Sequence, residues 1–139
     1  MASDQHQIIC GLIIRMMKAQ GYTQVCGFDG VIRDGYFSDC DAPPTIGRHR
    51  PDCIAYNPTT RKYAIGEAKT ASDILSERTE EELIDFTNQC IGDERYDKVI
   101  FGFPSRSEPQ VKKLMERLEQ TNKKCIEFFK YPEELDDDI

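Results

Sequence analysis

The first twenty residues show a helical pattern of hydrophobic positions. Apolar residues recur three and four positions apart, at Ile8, Ile9, Leu12, Ile13 and Met16. This spacing places them on one side of an α-helix, which we predict over residues 4–20, with Ser3 or Asp4 as its N-cap and Gly21 at its end. A stripe of this kind is typical of a helix that packs on a protein core.

Short apolar runs and turn residues follow this helix. Residues 22–38 are predicted to contain one or two strands with glycine turns, and residues 39–50 a loop rich in proline, glycine and charge. The runs PDCIAYN and KYAIGEAK lie on either side of residues 58–61. We predict that these two runs form a β-hairpin.

A second helix is predicted after a connector over residues 70–78. Thr79, followed three residues later by Glu82, matches a capping box, in which the threonine caps the helix and the glutamate reaches back to it. The predicted helix runs from Thr79 to about residue 90 or 91, and Gly92 ends it.

The rest of the chain adds two strands and one helix. The apolar runs DKVIFGFP and CIEFF are typical of buried strands, and a helix from Ser107 to about Gln120 separates them. The resulting element order, αβββαβαβ, combines a three-strand meander with strand–helix–strand crossovers. It predicts an α/β fold with a mixed central sheet that is flanked by helices.

The hairpin places its chemically interesting residues on one face. If residues 58–61 form a four-residue loop, the register puts Asp52 opposite Glu67, and directly opposed side chains share a face with Cβ atoms about 4.5–5.5 Å apart. Lys69 follows two residues later, so it belongs to the same face. The other face carries small residues, as expected where a helix packs closely: Cys53, Ala55, Ala64, Gly66 and Ala68.

Two opposed carboxylates repel each other, and a divalent cation would neutralise them. Oxygen ligands suit Mg²⁺, or Mn²⁺ in its place. Such a metal lowers the pKa of a bound water and stabilises charge on a phosphoryl oxygen. Lys69 would orient or deprotonate that water, or neutralise the pentavalent transition state. The alternative is a simple salt bridge at a sheet edge, between Lys69 and Glu67 or Asp52.

Charge is unevenly distributed along the chain. The 139 residues carry 18 Lys and Arg against 25 Asp and Glu, a formal charge of −7. Five of the acidic residues lie between positions 133 and 138, whereas the segment from Arg48 to Lys69 is locally basic. We therefore predict one domain over residues 1–131 and an acidic tail over residues 132–139.

Cysteine spacing and hydropathy indicate a cytoplasmic protein. The six cysteines form no Cys-x-x-Cys pair, and several lie in apolar runs, so we interpret them as reduced thiols. Arg15 and Lys18 interrupt the longest apolar run, so no membrane span is expected.

The motifs Arg50-Pro51-Asp52 and Gly66-Glu67-Ala68-Lys69-Thr70, together with the element order over residues 4 to about 129, resemble the PD-(D/E)XK nucleases, which share the restriction-endonuclease-like fold. The resemblance implies that Asp52, Glu67 and the Ala68 carbonyl bind a metal and that Lys69 serves the attacking water. It implies a metal-dependent nuclease that hydrolyses phosphodiester bonds in nucleic acid, most often DNA.

The chain departs from that family in its first helix. Many members carry a metal-binding glutamate there, whereas this chain has Ser3-Asp4-Gln5-His6-Gln7. His6, Gln7 or Asp4 is a candidate substitute, or the site works with fewer ligands. Two further residues are candidates for the site: Asp73, four residues beyond Lys69, and Gln89, on the predicted second helix.

Arg48 and Arg50 directly precede the motif, and their guanidinium groups are well suited to phosphate. They are candidate nucleic-acid contacts, with a solvated loop as the alternative. Because the net charge is negative, a homodimer or a partner protein would help such a chain hold nucleic acid. Two other functions stay open: a non-catalytic nucleic-acid-binding or assembly module on the same fold, and a plain interaction domain whose acidic tail occupies a basic groove or mimics DNA.

Overall fold

A computed structural model of the chain describes residues 4–28 and 43–132. The possible second strand within residues 22–38 and the acidic residues of the tail lie outside this described part. The α-helices and strands follow in the order α1 (Asp4–Ala19), β1 (Gln24–Phe28), β2 (Cys53–Asn57), β3 (Lys62–Ala68), α2 (Glu77–Gly92), β4 (Tyr96–Pro104), α3 (Glu108–Glu116), α4 (Gln120–Lys123) and β5 (Ile126–Tyr131). Two single 3₁₀ turns, Ala71–Asp73 and Ser105–Ser107, precede α2 and α3.

The strands form one five-stranded sheet in the order β1-β2-β3-β4-β5. β1, β2 and β3 are antiparallel neighbours, whereas β3, β4 and β5 run parallel. The α/β class with a mixed sheet and flanking helices is thus confirmed. The parallel crossovers bring the carboxyl ends of β3, β4 and β5 to one edge of the sheet.

The hairpin between β2 and β3 has the predicted register. Asn57 pairs with Lys62 and Ile54 with Ile65, and the last ladder pair is Cys53 with Gly66. The loop is held from within, because the side-chain oxygen of Asn57 accepts hydrogen bonds from the amides of Thr59 and Thr60 at 2.9 and 3.2 Å.

The two faces of the hairpin belong to different cores. On the face of small residues, Cys53, Ala55, Ala64 and Ala68 pack with α1, which contributes Ile9, Ile13 and Met17. On the opposite face, Ile54 and Ile65 pack with residues of α2, β4 and α3, among them Leu83, Phe86, Phe101 and Leu114. The predicted close approach of a helix to the small-residue face is confirmed.

Gly66 is a point of close approach between α1 and the sheet. A Cβ atom at this position would lie 2.4 Å from Cys53 Sγ and 2.9 Å from Ile13 Cγ2. We expect Gly66→Ala to lower the free energy of unfolding by about 1–3 kcal/mol through overpacking. Gly11→Ala is the matched control, because nothing lies within 4 Å of its added Cβ and alanine favours the helix. Urea denaturation measures both, and equal effects would contradict the close packing.

The predicted start of α2 is wrong. Ser76, not Thr79, is the N-cap, since its side chain accepts a hydrogen bond from the amide of Thr79, and the helix begins at Glu77. The Thr79 hydroxyl instead donates to the carbonyl of Asp73 at 2.6 Å, which ties the preceding turn to the helix. The capping box therefore does not form, and Glu82 is available for another role.

The predicted helix from Ser107 to about Gln120 is too long. α3 ends at Glu116, and the separate short helix α4 follows. This break lets the side-chain amide of Asn122 donate hydrogen bonds to Thr87 and Asn88 on α2, at 2.7 and 2.8 Å. The hydrogen bonds of Asn122 to α2 are made possible by ending α3 early, although the local sequence pattern would allow the helix to continue.

The sequence predicted no membrane span and reduced cysteines, and the described residues bear on both predictions. No helix within residues 4–28 and 43–132 is both long and apolar enough to cross a membrane. The five cysteines in this part form no disulfide with one another; two of them are buried in the α1 core (Cys10 and Cys53) and one is exposed (Cys26).

Candidate active site

Asp52 and Glu67 meet where the hairpin between β2 and β3 opens. The amide of Asp52 donates to Glu67 Oε1 at 3.0 Å, and the amide of Ala68 donates to Asp52 Oδ2 at 2.8 Å. Each carboxylate thus accepts a hydrogen bond from the other strand, one step past the last ladder pair. The register of the hairpin therefore brings together the two carboxylates that the sequence singled out.

Lys69 joins them from the end of β3. Its ammonium lies 3.4 Å from Glu67 Oε2, so the two side chains share a face as the alternation predicts. Its backbone is fixed on both sides, because its amide donates to Gly102 O at 2.9 Å and the hydroxyl of Tyr131 donates to its carbonyl at 2.6 Å. The carboxyl ends of β4 and β5 thereby hold the lysine in place.

Glu82 is a site residue that the sequence analysis missed. It lies on α2, and its Oε1 is 2.8 Å from the Lys69 ammonium. Its side chain is only 4% exposed. The signal was present in the sequence, because Glu82 falls within the buried stripe of α2 formed by Thr79, Leu83, Phe86 and Thr87. A charge on the apolar side of a helix is uncommon and points to a partner or a function.

His6 reaches the same site from α1, on the other layer of the fold. Its Nε2 lies 3.3 Å from Asp52 Oδ2, and its Nδ1 lies 3.8 Å from the thiol of Cys10, one helical turn away. Gln7 is partly buried at the next position of the helix. The side chain of Asp4 lies outside the described part of the structure. Among the described candidates on the first helix, His6 thus contacts Asp52, which is a predicted metal ligand.

Asp52 and Glu67 differ in their ease of ionisation. Burial alone would raise the pKa of Asp52, but the hydrogen bond from His6, the charge of that imidazole and the Ala68 amide outweigh it, so the pKa of Asp52 is lowered. Burial and the neighbouring Asp52 and Glu82 carboxyls raise the pKa of Glu67 well above its ordinary value. Of these two carboxyls, Glu67 is therefore the one that its surroundings stabilise less as an anion.

The cluster contains three carboxyl groups, Asp52, Glu67 and Glu82, around the ammonium of Lys69. Lys69 faces Glu67 and Glu82; although burial opposes its charge, these carboxylates raise its pKa. Glu82 Oε1 is buried, and its cationic neighbours are the Lys69 ammonium at 2.8 Å and the exposed Arg78 guanidinium at 3.8 Å. Three carboxyl groups this close together fit a site for a hard divalent cation.

Two other candidates lie away from this cluster. The side chain of Asp73 is exposed on the 3₁₀ turn, where its backbone carbonyl serves Thr79. Gln89 lies two turns beyond Glu82 along α2, and its amide donates to Asp93 at 3.2 Å. The structure brings neither side chain to the carboxylates.

The basic segment before the motif is anchored to α2. The Arg48 guanidinium donates to both oxygens of Asp85, at 3.0 to 3.3 Å, and its amide donates to the same carboxylate at 2.8 Å. His49 Nε2 lies 3.2 Å from Glu81. Gly47 makes the turn possible, since it has a positive φ of 63° and an added Cβ would lie 2.7 Å from Asp85 Cγ. Arg48 is thus already paired, whereas Arg50 is exposed and forms no ion pair with the residues that the structure describes.

These contacts bring four side chains together at one edge of the sheet. Asp52, Glu67 and Lys69 come from the open end of the hairpin, and Glu82 comes from α2. His6 supports the cluster from α1. No protein-family model, curated protein or solved structure matches the chain.

Proposed function

We propose that this chain is a metal-dependent nuclease of the PD-(D/E)XK type, with a restriction-endonuclease-like fold, that hydrolyses phosphodiester bonds in nucleic acid, with DNA as the expected substrate. The observation that carries the proposal is the meeting of Asp52 and Glu67 at the open end of the hairpin, with Lys69 beside Glu67. The mixed sheet and the element order support it as well.

The metal would be held by the Asp52 and Glu67 carboxylates and the Ala68 carbonyl. Mg²⁺ fits this all-oxygen set, and Mn²⁺ would substitute for it. When bound, such a cation supplies an acidified water and stabilises negative charge on the phosphoryl oxygen. Asp52 is the ligand best prepared for this role, because its contact with His6 keeps it ionised.

Lys69 would donate a hydrogen bond to the attacking water and so orient it toward the phosphorus. Lysine offers three donors and no acceptor. Glu82 acts on the reaction through Lys69, as a positioning residue: at 2.8 Å from the ammonium, it holds the lysine charged and restricts its rotamers. The fixed backbone of Lys69, between Gly102 and Tyr131, adds to this preorganisation.

Arg50 is the better placed of the two arginines to hold the phosphate backbone. It is exposed and two residues from Asp52, whereas Arg48 would first have to leave Asp85. We expect Arg50→Ala to weaken duplex binding and to lower the slope of log affinity against log salt by about 0.9 for each phosphate that the protein no longer neutralises. The measurement is fluorescence anisotropy in Ca²⁺ with the Lys69→Ala background.

Arg95→Ala is the control for Arg50→Ala. Arg95 is also exposed, is paired with Asp93, and precedes the amino end of β4, roughly 20 Å of strand away from Gly102 and the site. If both variants change the salt slope by the same amount, the basic segment does not hold the substrate.

A cleavage assay tests the proposed function. Purified full-length chain is incubated with supercoiled, linear, single-stranded and branched DNA and with RNA, in Mg²⁺, Mn²⁺ or EDTA. Cleavage of any substrate that requires the metal and is lost in Lys69→Ala supports a nuclease. Metal-dependent binding without cleavage of any substrate would instead indicate a non-catalytic module on the same fold.

A further inference from the structure

A second set of potential metal ligands lies on the α1 side of Asp52. His6 and Cys10 are one helical turn apart on α1, and Asp52 faces them from the start of β2. One ligand atom from each of the three residues lies within 4.8 Å of the other two. Nitrogen, sulfur and oxygen donors are thereby gathered at one point, beside the all-oxygen cluster of the proposed nuclease site.

We propose that His6, Cys10 and Asp52 form a binding site for Zn²⁺, or for a divalent transition metal with the same ligand preference, and that its occupation excludes the hard cation because both metals need Asp52. The second half of this proposal rests on the proposed function; the first half does not.

The donor set distinguishes this site from a magnesium site. Zn²⁺ binds thiolate, imidazole and carboxylate ligands, whereas Mg²⁺ takes oxygen ligands in octahedral geometry. Neither Cys10 nor His6 offers an oxygen. A thiol and an imidazole next to the carboxylate therefore favour the borderline-soft metal over the hard one.

Two of the contacts have spacings close to those that zinc requires, and the three ligand atoms of the set lie within 4.8 Å of one another. With metal–ligand bonds of about 2.0–2.3 Å, tetrahedral ligands stand about 3.3–3.7 Å apart. The spacing from His6 Nε2 to Asp52 Oδ2 is 3.3 Å, and from Cys10 Sγ to His6 Nδ1 it is 3.8 Å. Because the two ring nitrogens face different partners, the ring must turn to give one nitrogen to the metal. This torsion is soft, since imidazole rings have a broad, twofold χ2 preference.

Burial and access are also suitable. Cys10 is fully buried, and the Asp52 side chain is 13% exposed, so the two ligands are largely shielded from solvent. The His6 side chain is 20% exposed and lies in the first turn of α1, which leaves a route for the metal. With three protein ligands, the fourth position remains for water. The Ala68 amide, which donates to Asp52 Oδ2 at 2.8 Å, fixes the carboxylate for either metal.

Co²⁺ titration of the reduced full-length chain, without nucleic acid, tests the site. Cobalt reports a thiolate ligand by an intense near-ultraviolet charge-transfer band and tetrahedral geometry by its visible bands. We expect both signals at one equivalent of Co²⁺ and their displacement by Zn²⁺. Cys10→Ser should abolish the charge-transfer band, and His6→Gln should weaken binding by at least about 10–100-fold, the loss known for supporting residues of metal sites.

The matched control is Cys90→Ser, which removes a partly buried thiol from α2 and should leave the spectrum unchanged. Circular dichroism checks that each variant is folded, and His6→Gln keeps the test valid if Cys10→Ser fails to fold, because His6 is partly exposed. Absence of the charge-transfer band in the wild-type chain, its persistence in Cys10→Ser, or unchanged affinity in His6→Gln would overturn the zinc site.

Cleavage in Mg²⁺ tests the competition separately. One equivalent of Zn²⁺ should inhibit the wild-type chain and leave Cys10→Ser active. Equal inhibition of both would overturn the exclusion of the hard cation. A zinc site without cleavage in any metal would contradict the proposed function alone, whereas cleavage without the cobalt signals would contradict the zinc site alone.

Discussion

Lys69→Ala is expected to lower the rate of cleavage by about 10²- to 10⁴-fold, the range for a residue that transfers or positions a proton. The affinity for Mn²⁺ should stay the same or rise. The reason is that the lysine competes with a metal for the Glu67 carboxylate, which lies 3.4 Å from its ammonium. The measurements are single-turnover cleavage and isothermal titration with Mn²⁺.

Lys98→Ala is the control for this experiment. Lys98 also forms an ion pair on the sheet, with Glu127 at 3.0 Å, but that pair is remote from Asp52 and Glu67. A thermal melt shows whether each variant is folded. Should Lys69→Ala cleave at the wild-type rate, the lysine has only a structural role, and the proposed mechanism loses its donor to the water.

Glu67→Gln and Asp52→Asn should each abolish cleavage and lower the affinity for Mn²⁺ by at least about 10–100-fold, because even the indirect partners of a metal contribute that much. Both changes preserve shape and an acceptor oxygen for the hydrogen bonds from the amides of Asp52 and Ala68. Glu127→Gln is the control, since that carboxylate binds Gln20 and Lys98 away from the site. Retained metal affinity in both site variants would contradict the assignment of the ligands.

In EDTA, the same two variants should change stability in opposite directions. The pKa of Glu67 is raised above its ordinary 4.5 by burial and by its acidic neighbours, so the folded chain keeps a proton that the unfolded chain has lost. This contribution to stability declines as the pH rises from about 4.5 through the folded pKa. Glu67→Gln does not titrate, so it should become more stable than the wild type toward alkaline pH.

Asp52 has the opposite linkage. Despite burial, which alone would raise it, its pKa lies below the ordinary 3.8 because of His6 and the Ala68 amide. The stability that it contributes is present above that value and is lost as the pH falls through the folded pKa. Asp52→Asn should therefore be less stable than the wild type at neutral pH. Urea denaturation across the pH range measures both variants, and a shift of the same sign in both would contradict the asymmetry of the pair.

Local sequence determined much of the hairpin and of the site that it carries. The loop over residues 58–61 and strand alternation fixed the register, which brought Asp52 and Glu67 together and put Lys69 on their face. The stripe of small residues likewise predicted that a helix packs closely on that face, and the structure shows that this helix is α1, which approaches Gly66. These features were predictable because a hairpin and a helix stripe depend on residues that are near each other along the chain.

The helix ends show where local rules compete. Both Ser76 and Thr79 are good N-cap residues, and the sequence alone favoured Thr79 because Glu82 completed a capping box. The structure uses Ser76, because the Thr79 hydroxyl finds the carbonyl of Asp73 in the preceding turn. That choice directs Glu82 to Lys69 rather than to the end of its own helix.

Only the tertiary structure decided which distant groups complete the site. His6 reaches Asp52 from a helix on one layer of the fold, Glu82 reaches Lys69 from the other, and Asp85 occupies Arg48 before any substrate does. Each of these pairs joins elements far apart in sequence, so its geometry depends on how whole helices dock on the sheet. The local sequence pattern places the two carboxylates and the lysine on one face of the hairpin. How the helices dock decides which partners these groups meet, shifts their pKa values, and pairs Arg48 with Asp85 while Arg50 stays exposed.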